Sequence, residues 1–394
     1  MNTSPLVTTV SNSGLSRQAL QKRVAKQKAI RLIRGAYVDA REFAAADVSD
    51  QYRLRAQAFL ATHPKLQAWG ITAAALEGAP VLAGALLHFA GSKNQARSKQ
   101  PGCAFHIELP SEHLVNNRTA QILFECASSS PLHDALMAGD YLLHKLSLHT
   151  NASLSNNRDV DAKTTETLLR FPLAASNTLT RGSDTGQINQ LDTGKPNFIT
   201  AYYAMRKTSF VSPQAELLWL DFAQLCVIYG TRRAIRKTLR TGLLFSDQTE
   251  SPAESLLLAR CVELGFAIPH LQVNIIEPFS GKHLGRVDGL WPSGKVQKGL
   301  YQQDSRFGRQ LYYNQLGDND SIIIEFDGSL KYQKDYASVL ESERLRQNAI
   351  SNLGFRFLRV SWEDLLQPDK LNMILKAAKV PKSRLVKAYL RKLI

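Results

Sequence analysis

The chain has little cysteine. Its four residues, Cys103, Cys126, Cys226 and Cys261, lie far apart in 394 positions, with no CxxC pair and no flanking ligand pattern. That spacing argues against a disulfide-stapled scaffold and predicts free thiols in a reducing compartment. A long apolar run is also lacking. Residues 70–91 come nearest, but Glu77, Pro80, His88 and several glycines interrupt them, so no membrane span is expected. The opening "MNTSPLVTTV" has neither the basic start nor the apolar core of a signal peptide, and a cytoplasmic protein is expected. His63, His88, His106, His113, His133, His144 and His149 do not recur at metal-ligand spacing. Ordinary structural or surface roles are expected for them.

Acid is absent from two stretches. Residues 16–35 hold Arg17, Lys22, Arg23, Lys26, Lys28, Arg31 and Arg34 without one Asp or Glu, and residues 370–394 hold eight Lys or Arg, again without acid. Hydrophobic content of 44% with 21% charged is ordinary for a soluble globular chain, and 394 residues suffice for two or three domains. A net charge of +15 and a pI near 9.7 are not ordinary. They point to a polyanionic partner, nucleic acid ahead of an anionic membrane. A solvated basic face is the plainer account of either run.

The pattern divides the chain in three. Within residues 1–40, Gly14 followed by "LSRQALQKRVAKQ" reads as a turn, an N-cap at Ser16 and a helix, and "AIRLIRGAYV" alternates like a strand pair turning at Gly35. Turn, helix and basic hairpin describe a winged helix-turn-helix whose second helix enters the major groove, with Arg17, Lys22, Arg23, Lys26, Arg31 and Arg34 as DNA contacts. A basic helical arm is the alternative. Residues 41–245 read as mainly helical, with "AFHIELP" as a strand and a polar, mobile insertion at 150–196. From 246 to 394 the order is helix, three strands, helix, strand, helix, an α/β layer with a mixed sheet and a basic tail. Ser251-Pro252-Ala253-Glu254 opens its first helix as a capping box.

Carboxylates interrupt the strands of that last unit. In "IIIEFDGSLKY", Glu325 and Asp327 share one face of an otherwise apolar strand, and Asp288 stands among apolar neighbours in "GRVDGLW". Burying an unpaired carboxylate costs several kcal/mol, so a compensating partner is required. If the strands pair, Asp288, Glu325 and Asp327 converge, and an oxygen-rich cluster suits Mg²⁺ or Mn²⁺. Such an ion activates water for attack on a phosphodiester, and Lys331 is placed to stabilise the developing charge. Asp-Gly is also a common turn pair, so strand-end turns at Asp288 and Asp327 and a surface role for Lys331 remain open.

The stretches "SPAESLLL", "GRVDGLWP", "IIIEFDGSLKY" and "LESERLRQNAISNLGFRFLRVSWEDL" resemble the PD-(D/E)XK, restriction-endonuclease-like fold. They are most similar to the domain-of-unknown-function relatives of very short patch repair endonucleases. The resemblance implies an α/β domain with a mixed sheet flanked by helices and metal ligands at Glu254, Asp288 and Glu325. The usual lysine two positions after Glu325 is replaced by Asp327, which leaves Lys331, or Glu341 and Arg344, to substitute, or implies lost catalysis. "GLSRQALQKRVAKQKAIRLIRGAYV" and "ITAAALEGAPV" resemble the winged helix and following segment of AbiEi-type antitoxins of abortive-infection toxin–antitoxin systems.

The leading expectation is a DNA-binding protein with a Mg²⁺- or Mn²⁺-dependent endonuclease-like domain. The alternative is a regulator or antitoxin with an inactive nuclease fold and a cognate toxin as partner. A basic scaffold without a DNA role is the third.

Overall fold

The computed structural model describes residues 7–97, 99–109, 117–156, 213–229, 235–293, 299–305, 308–326 and 336–383. At the front, β1 (Thr8–Thr9), α1 (Val10–Ser13), α2 (Arg17–Ala25), β2 (Ala29–Ile33) and β3 (Ala36–Asp39) form two short helices on a three-stranded antiparallel sheet, ordered β1-β3-β2. The side chains of Thr9 and Asn12 cap α1 reciprocally, and Gly14 ends it at φ +65°, a conformation that costs glycine little. The Ser16 hydroxyl then accepts from Ala19 N at 3.2 Å and starts α2, as its N-cap position predicts. Val7, Ala36 and Val38 bury this sheet against Leu54 and Ala58 of the helix over Val48–Thr62.

The middle is mainly helical with one small sheet. It comprises α3 (Ala40–Ala45), α4 (Val48–Thr62), β4 (Gln67–Ala68), α5 (Ile71–Leu76), β5 (Leu87–Gly91), β6 (Cys103–Ile107), α6 (Arg118–Ser129), α7 (Leu132–Asn156), α8 (Pro213–Tyr229) and α9 (Ile235–Gly242). Strand β6 is the predicted "AFHIELP" strand, whereas β5 lies in a segment with no strand signal. The parallel β5–β6 register brings His88 and His106 together, ring centroids 5.1 Å apart and Nδ1 to Nε2 at 3.0 Å. Burial, with His106 beside it, holds His88 down at about 4. Of the polar stretch 150–196, residues 150–156 continue α7 and the remainder lies outside the described residues. Leu123, Leu136, Trp219, Phe222 and Phe245 gather α6 to α9 into one core, where the Trp219 indole N–H donates to Gly242 O at 2.9 Å.

The C-terminal unit contains α10 (Pro252–Leu264), β7 (His270–Ile276), β8 (His283–Trp291), β9 (Leu300–Ser305), β10 (Gly308–Tyr313), β11 (Ile322–Phe326), α11 (Tyr336–Asn352), β12 (Arg356–Val360), α12 (Trp362–Leu366) and α13 (Pro368–Ala377). Its six strands form one mixed sheet, ordered β12-β11-β8-β7-β10-β9. Strands β7, β8 and β11 are antiparallel neighbours, and β11 runs parallel to β12, with α11 between them in sequence. A parallel pair needs such a crossover. Between β8 and β11 the chain forms the β9–β10 hairpin, which adds parallel to the far side of β7.

Two apolar layers hold the sheet. Ile322, Ile324, Trp291 and Val360 pack with Leu256, Leu257 and Cys261 of α10 and with Leu365, Leu371 and Leu375 of α12 and α13. Val273, Ile275, Val287, Leu290 and Ile323 pack with Ile350 of α11 and with Leu353 just past its end. Alternation along β11 therefore sends Ile323 and Ile324 to opposite layers. Helix α10 also gives Leu258 and Ala259 to the core of α6 to α9, so it packs on both units.

Gly139 of α7 is the tightest point of the helical core. A Cβ there would overlap the ring of the fully buried Phe245. Gly139→Ala should cost about 1–3 kcal/mol through overpacking. Urea unfolding checks this, and an unchanged midpoint would show that Phe245 has room to move.

Candidate nucleic-acid interface and carboxylate site

Helix α2 is seated by one apolar residue, Leu20, which is 1% exposed. Apart from Ala25, its exposed residues are polar or basic. Arg17 and Gln21 of α2, Arg31 of β2, Arg34 and Gly35 of the hairpin turn, and Tyr37 line a concavity of about 290 Å³ with Val10. Three of the six predicted DNA-contact residues thus converge on one hollow. Arg23 does not join them, lying 3.5 Å from the Asp39 carboxylate. Lys22 and Lys26 are exposed and line no part of the hollow. The first turn of α2 carries Arg17 and no acid. That is the reverse of what the helix dipole favours, unless an external anion faces it.

At the other end of the chain, each buried carboxylate has found donors. Glu254, 3% exposed, accepts from Ser251 Oγ at 2.8 Å, Glu250 N at 3.0 Å and Gln272 Nε2 at 3.1 Å. Ser251 caps the helix as predicted, accepting from Glu254 N at 3.4 Å. The expected return bond of a capping box is redirected, because the Glu254 carboxylate takes the N–H of Glu250 instead. Burial, with the Asp288 charge adding to it, pushes the Glu254 carboxyl up to about 7 despite these three donors.

Asp288 lies one step beyond the last ladder pair, Ile324 with Gly289, and its Oδ2 accepts from Phe326 N at 3.1 Å. The carboxylate therefore continues the β8–β11 pairing by side chain where the ladder stops. Glu325, across from it, turns to the crossover helix. Its Oε1 is 2.5 Å from Arg346 Nη2, and its Oε2 accepts from Gln347 Nε2 at 3.2 Å. Arg346 also holds Glu343 through Nε at 2.9 Å and Nη2 at 2.6 Å, and these carboxylates keep its guanidinium charged.

Asp288, Glu325 and Glu254 thus occupy the same end of the unit, with Asp288 touching β11 and acting electrostatically on Glu254. Asp327 and Lys331 lie outside the described residues. The donor chemistry, all carboxylate oxygen, fits Mg²⁺ or Mn²⁺. Among the described residues, no three His, Cys, Asp or Glu side chains are gathered as metal ligands. Glu341 and Arg344 of α11 are exposed.

Sequence reasoning missed three participants. Arg346 and Gln347 sit in the charged helix run "ESERLRQ", where only nonlocal packing selects them. Gln272 adopts φ +51° within β7, a conformation rare for any residue but glycine, while its amide holds Glu254. No family model, curated protein or solved structure matches this chain.

The raised Glu254 carboxyl makes a signed prediction. An unfolded glutamate releases its proton near 4.5, whereas the folded protein retains it to about 7. The stability it contributes is complete below about 4.5 and is lost as pH rises through about 7. Glu254→Gln should remove that loss, so its advantage over wild type should grow between about pH 5 and about pH 8. Urea titrations across that range read the difference, and parallel curves would contradict the assignment.

Proposed function

We propose that this chain is a DNA-binding protein whose C-terminal unit is a metal-dependent endonuclease-like domain of the PD-(D/E)XK type, acting on phosphodiester bonds. One observation carries the reading: Asp288 of β8 accepts from Phe326 N, next to Glu325 on β11, and acts electrostatically on Glu254, whose proton is retained to about 7. The helix–three strands–helix–strand order of α10, β7, β8, β11, α11 and β12 supports it. So does the arginine-lined hollow at the other end of the chain.

In this reading Asp288 and Glu325 hold a Mg²⁺ or Mn²⁺ ion, with Glu254 as a third oxygen donor. The bound ion supplies charge stabilisation at a phosphoryl oxygen and an activated water. Asp288 fixes the end of β11 through Phe326 N, so the position of Glu325 depends on it. Gln272 orients Glu254. Asp327 and Lys331, outside the described residues, keep in this reading the roles expected from the sequence, Lys331 as a cation for the developing charge. The N-terminal unit acts as a winged helix-turn-helix, with Arg17, Arg31 and Arg34 around a backbone phosphate and Lys22 and Lys26 along the flanking duplex.

A second reading is a regulator or antitoxin of an abortive-infection system, partnered by a cognate toxin, whose nuclease fold is inactive. The ion pair of Arg346 on Glu325, together with Asp327 in the usual lysine position, favours it.

Plasmid nicking separates the two. Under the first reading the purified protein nicks DNA with Mg²⁺ or Mn²⁺, EDTA stops it, and Asp288→Asn or Glu325→Gln abolishes it while DNA binding persists. Binding without nicking at millimolar metal leaves the regulator. For the interface, Arg17→Ala, Arg31→Ala and Arg34→Ala should each reduce the salt slope of DNA affinity by about one, because each removes about one phosphate contact. Arg23→Ala should change that slope least, since Asp39 already holds its charge. Equal slopes for all four variants would sink the phosphate assignment.

A further inference from the structure

We propose that Arg346 is a phosphate-contacting cation of the carboxylate site, held on Glu325 until a metal ion displaces it. The inference rests on the reading above, in which Glu325 holds the ion. Three features of the geometry point to it.

The first is the shared nitrogen. Arg346 Nη2 lies 2.5 Å from Glu325 and 2.6 Å from Glu343, while Nε holds Glu343 separately at 2.9 Å. Two bonds to Glu343 suffice to keep the guanidinium in place when Glu325 turns to another cation. The exchange frees one Nη2 proton beside the carboxylates. A planar guanidinium with a free N–H is well matched to a nonbridging phosphoryl oxygen.

The second is the space made for it. Gly285 of β8 adopts φ +148°, and a Cβ there would come within 2.8 Å of Arg346 Cδ. Nη1 reaches Arg286 O at 3.4 Å. The arginine stem therefore crosses β8 on a glycine, three residues before Asp288. A surface arginine making an incidental ion pair needs no such clearance.

The third is the chemistry at the strand end. The residue two after Glu325 is Asp327, an acid, and among the described residues Arg346 is the cation placed on Glu325. Arg346 comes from 21 residues further along the chain. It is half-buried, whereas its neighbour Arg344 is exposed.

The test measures Mn²⁺ uptake by the full chain without DNA, by electron paramagnetic resonance, alongside Mn²⁺-dependent nicking. Arg346→Met removes the competitor for Glu325, so Mn²⁺ should bind about tenfold more tightly than in wild type. Arg346→Met/Glu325→Gln should lose that gain. Nicking by Arg346→Met should fall by about a hundredfold in kcat with little change in KM, and Arg346→Lys should recover part of it. Unchanged or weaker Mn²⁺ binding in Arg346→Met would make the ion pair purely structural and overturn the inference alone. No Mn²⁺ uptake by wild type would overturn the metal-dependent reading, and this inference with it. If Arg346→Met does not fold, Arg346→Gln decides: full wild-type kcat together with wild-type Mn²⁺ affinity in that uncharged variant refutes the proposal.

Discussion

An ionised carboxylate placed among apolar side chains costs several kcal/mol unless donors surround it, and that cost shapes one end of the C-terminal sheet. Glu254, Asp288 and Glu325 draw their donors from different elements: the backbone before α10, the amide of Phe326, and the inner face of α11. The apolar layers fix which helix lies on which face. The polar contacts decide how far each helix slides along it. Moving α11 by a turn would leave Glu325 without Arg346 and Gln347, and shifting β11 by a residue would take Phe326 N away from Asp288.

Helix α10 ties that end to the rest of the molecule. Leu256, Leu257 and Cys261 belong to the sheet layer, while Leu258 and Ala259 belong to the core of α6 to α9. Met137 of α7 reaches the sheet layer in return. Glu254 stands one turn before Leu258 on the same rigid rod. The sheet and the helical middle therefore share a wall, and neither apolar core is closed without it.

Much of this was legible wherever the signal was local. The run Ile322–Ile324 marks β11 as a buried strand, the Ser251-Pro252 start and Gly265 bound α10, and Gly354 closes α11. The hollow of Arg17, Arg31 and Arg34 follows from a basic helix beside a basic hairpin. Strand β5 was hidden because a short apolar run without alternation reads equally as buried helix. Arg346 was hidden because it sits at helical spacing from Glu343, so the pair resembles an ordinary solvated helix face until the fold brings Glu325 up to it. Gln272 was hidden because a left-handed backbone within a strand leaves no mark in side-chain pattern.

The β9–β10 hairpin changes what the sheet offers to other molecules. Without it the open border would be β7, a strand with Val273 and Ile275 fully buried in its neighbours, and an apolar border of that kind invites strand addition from a second copy. Strand β10 pairs with β7 at those residues, and stacking of Tyr301 on Tyr312, ring centroids 5.5 Å apart, pins the register of the hairpin. Among the described residues the border passes to β9, where Gln302 and Gln303 are exposed. The hairpin thus exchanges an apolar border for a polar one, the kind of edge that disfavours strand addition.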